Sequence, residues 1–286
     1  MRELTILNPA AGNGKAIEGR TGYETTCVGD CRRYVKEECL RDPDTHFDIC
    51  GGDGTLNEAV SGILDANAGE RASLTVIPCG SGNDTVKTTD TYEKGATIPL
   101  DVINVNDGYG INMINIGFDC NVVASADHFK KKYKIAGKLS YILGVMKQFF
   151  KHFGEPFSVR AVCADGKEFK FDGEAMLCAI CNGQWCGGSF HNSPLSDMTD
   201  GVLELILVRK MGRIAFLGMI GNYKKGTLID RKTETIIPKM QKYIIFKKIK
   251  SLTITGCKQI CSDGEITDCS KAEISVKKAA IRYRVP

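Results

Sequence analysis

Three short apolar runs in the first third of the chain, Leu4–Leu7, Phe47–Cys50 and Leu74–Ile77, each pass directly into a glycine-bearing turn. This repeated junction limits the fold more than any other feature. A short apolar run bounded by turn residues reads as a buried strand, and helical patterns between such runs supply the crossovers that parallel strands need. The N-terminal part is therefore expected to be a Rossmann-like α/β domain with a parallel sheet. Its turns would meet at the carboxyl edge of the sheet, where open α/β sheets bind ligands. From about Phe157 the pattern changes to closely spaced strand candidates: Phe157–Val162, Glu168–Phe171, Ala175–Cys181, Val202–Val208, Leu252–Ile254, Ala272–Val276 and Ile281–Val285. They predict a mainly antiparallel β-sandwich or barrel.

The first turn, Asn8-Pro9-Ala10-Ala11-Gly12-Asn13-Gly14-Lys15, leaves backbone N–H groups free to face an anion. It is not a Walker A loop, because Pro9 stands where the first glycine is required and Ala16 where Ser or Thr is required. It also lacks the GxGxxG fingerprint, which counts against a dinucleotide-dependent oxidoreductase. Taken alone it reads equally as an ordinary glycine turn. The second turn, Gly51-Gly52-Asp53-Gly54-Thr55-Leu56-Asn57-Glu58, carries more information. Its glycines let a phosphate approach the backbone, Asp53 can act through Mg²⁺ or a hydroxyl, and Thr55 can cap the next helix while donating to an oxygen. The third, Pro78-Cys79-Gly80-Ser81-Gly82-Asn83-Asp84, adds hydroxyl and amide groups at its crest. Three such turns converging on one crevice point to a nucleotide.

A 286-residue chain that is 43% hydrophobic can fill its own cores. A net charge of +4 is too mild to argue for nucleic acid, and no nucleic-acid partner is expected. Thirteen scattered cysteines without a secretory leader read as reduced thiols in a cytosol. Cys178-Ala-Ile-Cys181 looks like half a zinc site, but it lies in a strand pattern where residues three apart face opposite ways. The four histidines show no ligand spacing and no Ser-His-Asp set. No stretch reaches the roughly 18 apolar residues of a membrane span, so any membrane role is peripheral. Ile135, Leu139, Ile142, Leu143, Met146, Phe149, Phe150 and Phe153 recur at helical spacing, interrupted by Lys138 and Lys147. This stripe reads first as a helix face packed on the sheet, and second as one that lines a lipid cleft or touches a bilayer. Lys130-Lys131-Lys132 just before it could attract an anionic leaflet or a phosphate, or form a solvated face.

The motifs NPAAG, GGDGTLNE and PCGSGND, with INIGFD at Ile114–Asp119 and SDGE at Ser262–Glu265, occur in order through nearly the whole chain. This combination resembles the diacylglycerol kinase catalytic-domain family, which includes soluble bacterial lipid kinases and the sphingosine and ceramide kinases. The resemblance implies that ATP is held by Asn8, Pro9, Ala10, Ala11 and Gly12, by Gly51 to Asn57, and by Ser81, with Thr25 as an additional contact. Asp119 would lie beside the acceptor lipid, and Asp197, Asp200 and the Val202 carbonyl would ligate a structural Mg²⁺. An ordinary Asp-Gly turn is the other reading of that loop. Residues 1–101 would then be the nucleotide-binding domain, 102–276 the lipid-binding one, and the tail from about 277 to 286 could return to the first. A membrane lipid is the implied partner, met peripherally from the cytoplasm, and a homodimer is compatible with the resemblance. The intervals Lys15–Gly51 and Asp84–Asp101 are shorter than is usual in the family, so helices are expected to be trimmed or missing there.

Phosphoryl transfer needs positioning, charge neutralisation and a carboxylate to take the nucleophile's proton. Asp53 and the pair Asp263 and Glu265 compete for that role. We favour the C-terminal turn, with Glu265 ahead of Asp263, and Asp53 organising the metal and nucleotide. A surface hairpin tip is the alternative for SDGE. An NAD kinase, which shares GGDGT, and a non-catalytic nucleotide or lipid sensor are the competing functions.

Overall fold

The computed structural model describes residues 2–133, 138–150 and 154–286. Ile135, Phe153 and His152 lie outside these, and so do the side chains of Lys130 and Lys131. The N-terminal unit runs β1 (Arg2–Leu7), β2 (Tyr23–Glu24), α1 (Asp30–Arg41), β3 (Thr45–Gly51), α2 (Asp53–Asp65), β4 (Ser73–Pro78) and α3 (Asp84–Thr89). β3 pairs in parallel with β1 and β4, and β2 pairs in parallel with the end of β1. A 3-10 turn at Ala11–Gly14 stands where a crossover helix could follow β1, and α3 is only 6 residues long, which accounts for the two short intervals. Ile6, Phe47, Ile49, Leu74 and Val76 form the core of this unit with Val35, Leu56, Val60 and Ile63 from the helices.

Next come β5 (Thr97–Val105), β6 (Gly108–Gly110), β7 (Met113–Gly117), α4 (Phe118–Tyr133), α5 (Lys138–Phe150), β8 (Glu155–Cys163), β9 (Glu168–Cys181), β10 (Leu203–Arg209) and α6 (Arg213–Lys225). β11 (Ile229–Asp230), β12 (Thr235–Ile236), β13 (Ile244–Thr255), β14 (Gln259–Ser262), β15 (Glu265–Asp268) and β16 (Lys271–Arg284) complete the chain. β8, β9, β10 and β13 close into an antiparallel ring, because each long strand changes partner half-way along. Phe157, Val159, Ile180, Leu205, Leu252 and Ile274 fill its interior. Cys178 faces that interior and Cys181 the helices outside, so the pair straddles the strand as its spacing predicts.

Several expectations need correction. Glu168–Phe171 and Ala175–Cys181 are one strand, β9, and the last two strand candidates are one strand, β16. The interruptions were polar or glycine residues that a half-exposed strand tolerates. α6 was not foreseen at all, because its glycines at 218 and 221 weaken the helical pattern. The apolar stripe of α5 does not pack on the sheet as a whole: Val145 and Phe149 turn inward, whereas Leu139, Ile142, Met146 and Phe150 are exposed. No helix among the described residues is long and apolar enough to cross a membrane.

One strand joins the two units. β16 is antiparallel to β13 over Lys271–Ser275, then runs parallel to β4 at Arg282 and Tyr283, and pairs with β5 along most of its length. Its register shifts between Lys277 and Ile281, where Ala279 adopts a φ of +51°. Fully buried Asp101 of β5 holds that irregularity, accepting from Ala279 N–H at 2.7 Å and from Gly201 N–H at 2.6 Å. Asp101→Ala would strip both amides of their acceptor. It should lower stability by about 2–4 kcal/mol in urea unfolding; an unchanged midpoint would show that the clamp is dispensable.

Candidate active site

The three glycine turns meet backbone to backbone at the carboxyl edge of the parallel sheet. Gly12, at φ +61°, sits so close to the third turn that a Cβ there would lie 2.5 Å from the Cys79 carbonyl oxygen. A Cβ on Gly80 would come within 2.5 Å of the Gly52 Cα. Real side chains cannot occupy such spacings, so the glycines set how closely the turns converge. Asn8 ties the first turn to the second, its Nδ2 donating to Thr55 Oγ1 at 2.8 Å while its Oδ1 accepts from Ala10 N–H at 3.0 Å. Thr55 therefore does not cap α2, which begins two residues earlier at Asp53. Pro9, Ala10 and Ala11 follow Asn8 on the partly open side, Gly51 ends β3, Gly54 lies in the first turn of α2, and Leu56 is buried in the core behind it. Thr25 is fixed next to the first turn, its N–H donating to the Leu7 carbonyl at 2.9 Å. Ser81 is exposed at the crest of the third. A cleft of about 720 Å³ opens between the first and third turns, with Lys15, Arg20 and Glu18 on its rim.

Asp53 is committed to the third turn. Its oxygens accept from Asp84 N–H at 3.1 Å and Thr85 N–H at 3.2 Å, which caps α3 from outside, and each oxygen keeps a lone pair for another partner. Glu58 likewise caps α1, accepting from Gly29 and Cys31. Asp84 accepts from Gly188 N–H at 2.9 Å, and Lys87 Nζ donates to the Gly82 and Gly188 carbonyls. Burial, then Asp53, raises the Asp84 pKa.

The Ser262–Glu265 segment is a hairpin tip, with positive φ at both Asp263 and Gly264, and the tip is docked rather than free. Asp263 accepts from the N–H groups of Ile111 (2.6 Å), Asn112 (3.0 Å) and Met113 (2.9 Å) and from Asn57 Nδ2 at 2.9 Å. Asn57 belongs to the second glycine turn, so this contact brings residues 206 positions apart to one point. Four donors saturate Asp263. Glu265, the first residue of β15, is exposed, and its carboxylate accepts no hydrogen bond from the described residues. Desolvation of its carboxylate, then repulsion from Glu58 and Asp263, raises its pKa above the ordinary glutamate value.

Asp119 opens α4 and accepts from Tyr223 OH of α6 at 3.2 Å; Asn192 Nδ2 donates to the same hydroxyl at 3.0 Å. Burial, opposed by the tyrosine bond, pushes Asp119 up to about 6. Asn115 Oδ1 and Asn192 Oδ1 are buried without partners, as a ligand-facing pocket would leave them. Tyr223 and Asn192 belong to none of the motifs; Asn182-Gly183, Gly187-Gly188 and Ser193-Pro194 signal only a loop around Asn192. Farther off, Asp197 accepts from Tyr92 OH at 2.7 Å and from Thr199, and Asp200 accepts from Val202 N–H at 2.9 Å. Nearby Glu204 keeps one buried oxygen unpartnered. No group of three or more His, Cys, Asp or Glu able to hold a metal occurs among the described residues.

A parallel sheet with three fused glycine turns, facing carboxylates carried in by an antiparallel domain, defines a nucleotide-dependent phosphotransferase. Residues 2–107 match the diacylglycerol kinase catalytic domain, and residues 112–282 match the YegS C-terminal NAD kinase beta sandwich-like domain. The chain is 31% identical over 218 residues to "Diacylglycerol kinase" of Bacillus subtilis (strain 168), covering 69% of this chain and 67% of that one. It is 26% identical over 306 residues to "Probable lipid kinase YegS-like" of Pectobacterium atrosepticum, covering 99% and 95%. The crystal structure of a diacylglycerol kinase from Bacillus anthracis str. Sterne superposes with a TM-score of 0.68 at 20% identity, over 99% of this chain and 96% of that one, and so shares the fold. The chain belongs to the diacylglycerol kinase family of lipid kinases: it is an ATP-using phosphotransferase that acts on an alcohol group.

Gly80→Ala should push the second and third turns apart. ATP affinity measured by calorimetry is expected to fall by about tenfold or more, because the phosphate-facing amides no longer converge. Undiminished affinity would mean that the close approach serves only packing.

Proposed function

We propose that the chain transfers the γ-phosphoryl group of ATP to the free hydroxyl of diacylglycerol, giving phosphatidic acid, with Glu265 as general base. The reading rests on one observation, the 2.9 Å bond from Asn57 to Asp263, which fastens the carboxylate hairpin to the glycine turns. Asp263 has no free capacity and acts as the anchor, which leaves Glu265 to accept the proton. In the transfer the lipid oxygen bonds to the γ-phosphorus, the bond to the β,γ-bridging oxygen breaks, ADP leaves, and the hydroxyl proton passes to Glu265. Asp119, with Tyr223 holding its carboxyl, is the group that would orient the acceptor.

Mg²⁺ is part of this proposal. When bound with ATP it neutralises phosphate charge, and Asp53 has lone pairs open toward the glycine turns. A second, structural Mg²⁺ would be held by Asp197, Asp200 and the Val202 carbonyl. The donors are hard oxygens, only two of them carboxylates, which suits an ion that keeps several waters. Contact with the bilayer is peripheral in this reading and made from the cytoplasmic side, where ATP is.

Glu265→Gln should lower kcat by about 10²–10⁴-fold with an unchanged unfolding midpoint, since the side chain holds nothing in place. Asp53→Ala should lose activity together with stability, because the α3 amides lose their acceptor. Labelled-phosphate transfer from ATP to diacylglycerol, related lipids and NAD reads both variants. Turnover on NAD and none on lipid would move the chain to the NAD kinases. With the base needed deprotonated, kcat/KM should fall as pH drops through a pKa above the ordinary ~4.3 of glutamate. Glu265→Gln should lack that limb.

A further inference from the structure

The hairpin that carries Asp263 and Glu265 near its tip has a pair of thiols at its open end. Gly256-Cys257-Lys258 leads into β14, and β15 runs out into Cys269 and Ser270, so the two cysteines flank the neck through which the chain leaves β13 and returns to β16. Cys269 N–H donates to the Lys258 carbonyl at 3.0 Å, which draws the two arms together at that level. Cys257 is buried in the core of the antiparallel ring, Cys269 packs against the same cluster, and the two sulfurs are hydrogen-bonded to each other. A disulfide needs partners already held close, since cysteines far apart cannot be bridged without moving the backbone.

The two thiols are not alike. Cys269 is partly exposed between the exposed Asp268 and Ser270, whereas Cys257 is only 4% exposed. The Cys269 Sγ–H donates to the Lys271 carbonyl at 2.8 Å, and its sulfur accepts from Asn106 Nδ2 at 3.4 Å, a donor that stays in place when the proton leaves. Burial, then the neighbouring Cys269, pushes the Cys257 thiol up to about 11, so it stays protonated until its neighbour has reacted. One accessible thiol beside one buried thiol is the arrangement of an attacking and a resolving cysteine. Cys120 and Cys261 are hydrogen-bonded in the same way, but at 0% and 1% exposure neither can meet a solute. The neck pair is therefore the one open to oxidation, and β15 joins it directly to Glu265.

We propose that Cys257 and Cys269 are a modification site for hydroperoxides, and that the disulfide they form closes residues 257–269 into a ring and slows phosphoryl transfer. The Cys269 thiolate attacks a peroxide oxygen, the O–O bond breaks, and water or an alcohol leaves with a proton, so that Cys269 becomes a sulfenic acid. The Cys257 sulfur then displaces the hydroxyl: the S–S bond forms, the S–O bond breaks, and the hydroxyl leaves as water with the Cys257 proton. Closure costs Cys269 its bond to the Lys271 carbonyl and draws in one end of β15, whose other end is Glu265. The effect on transfer rests on the lipid-kinase reading, but the chemistry at the neck does not. Peptide mapping of the reduced chain after hydrogen peroxide treatment and alkylation should yield a linked Cys257–Cys269 pair. In the same sample kcat on diacylglycerol should fall about tenfold with the KM for ATP held within about twofold, and dithiothreitol should restore it. Cys269→Ser should keep its turnover through the treatment, with the exposed Cys27 still present. Cys257→Ala should stop at the sulfenic acid, captured on Cys269 by dimedone. No link between the two residues in the oxidised wild type would overturn the proposal, as would a link that leaves kcat unchanged, or a Cys269→Ser variant that loses turnover as fully as the wild type. A reduced wild type that forms the link but never phosphorylates diacylglycerol would count against the kinase reading alone.

Discussion

The arrangement of the site depends on one carboxylate whose hydrogen-bond capacity is filled. Asp263 accepts four hydrogen bonds, three from the backbone after β6 and one from Asn57 in the second glycine turn. A hairpin tip that would otherwise be solvated is thereby fixed against the segment leading into β7 and against the N-terminal unit. A buried carboxylate is costly unless its lone pairs are filled. Here filling them is what fixes the position of the next acidic residue. Glu265 lies two positions on, and desolvation of its carboxylate, then repulsion from Glu58 and Asp263, raises its proton affinity. Saturation of one acid and the absence of a side-chain partner for its neighbour give the two carboxylates different surroundings.

That division works only because the far end of the chain is tied to the first strands. β16 pairs with β13 of the antiparallel ring at one end and with β4 of the parallel sheet at the other, and Asp101 holds the shift in register between the two roles. The antiparallel domain is consequently not a bead on a linker. The strands of its hairpin and the strands that end in the glycine turns belong to one continuous hydrogen-bonded sheet, which limits how far the two units can drift apart.

The surroundings of Asp119 follow different physics. Half-buried Asp119 accepts from Tyr223, whose hydroxyl in turn accepts from Asn192, and the helix that carries Tyr223 exposes Ile214 and Leu217 on its other side. Helices that are apolar on two sides cannot satisfy both within one monomer. One side is buried against the domain, and the other faces solvent.

Much of this was legible in the residues. The glycine turns at the ends of apolar runs gave the parallel sheet and its crevice, because few residue types tolerate such backbone approach, and Gly12, Gly52 and Gly80 are held at that limit. The ordered motifs gave the family. The strand pattern gave the antiparallel domain, although it split β9 and β16 where polar residues interrupt them, and the glycines of α6 hid that helix. The roles within the site were not legible. Spacing showed Asp53 and Thr55 at the second turn but not that Asp53 also caps α3 and that Thr55 also accepts from Asn8. Tyr223 and Asn192 belong to no motif. Local chemistry, written in spacing and residue type, was settled by the sequence alone. Which lone pairs are filled, and which face of α5 turns outward, was decided only by contacts between residues far apart in the chain, because hydrogen-bond capacity and burial belong to the packed structure and not to any single segment.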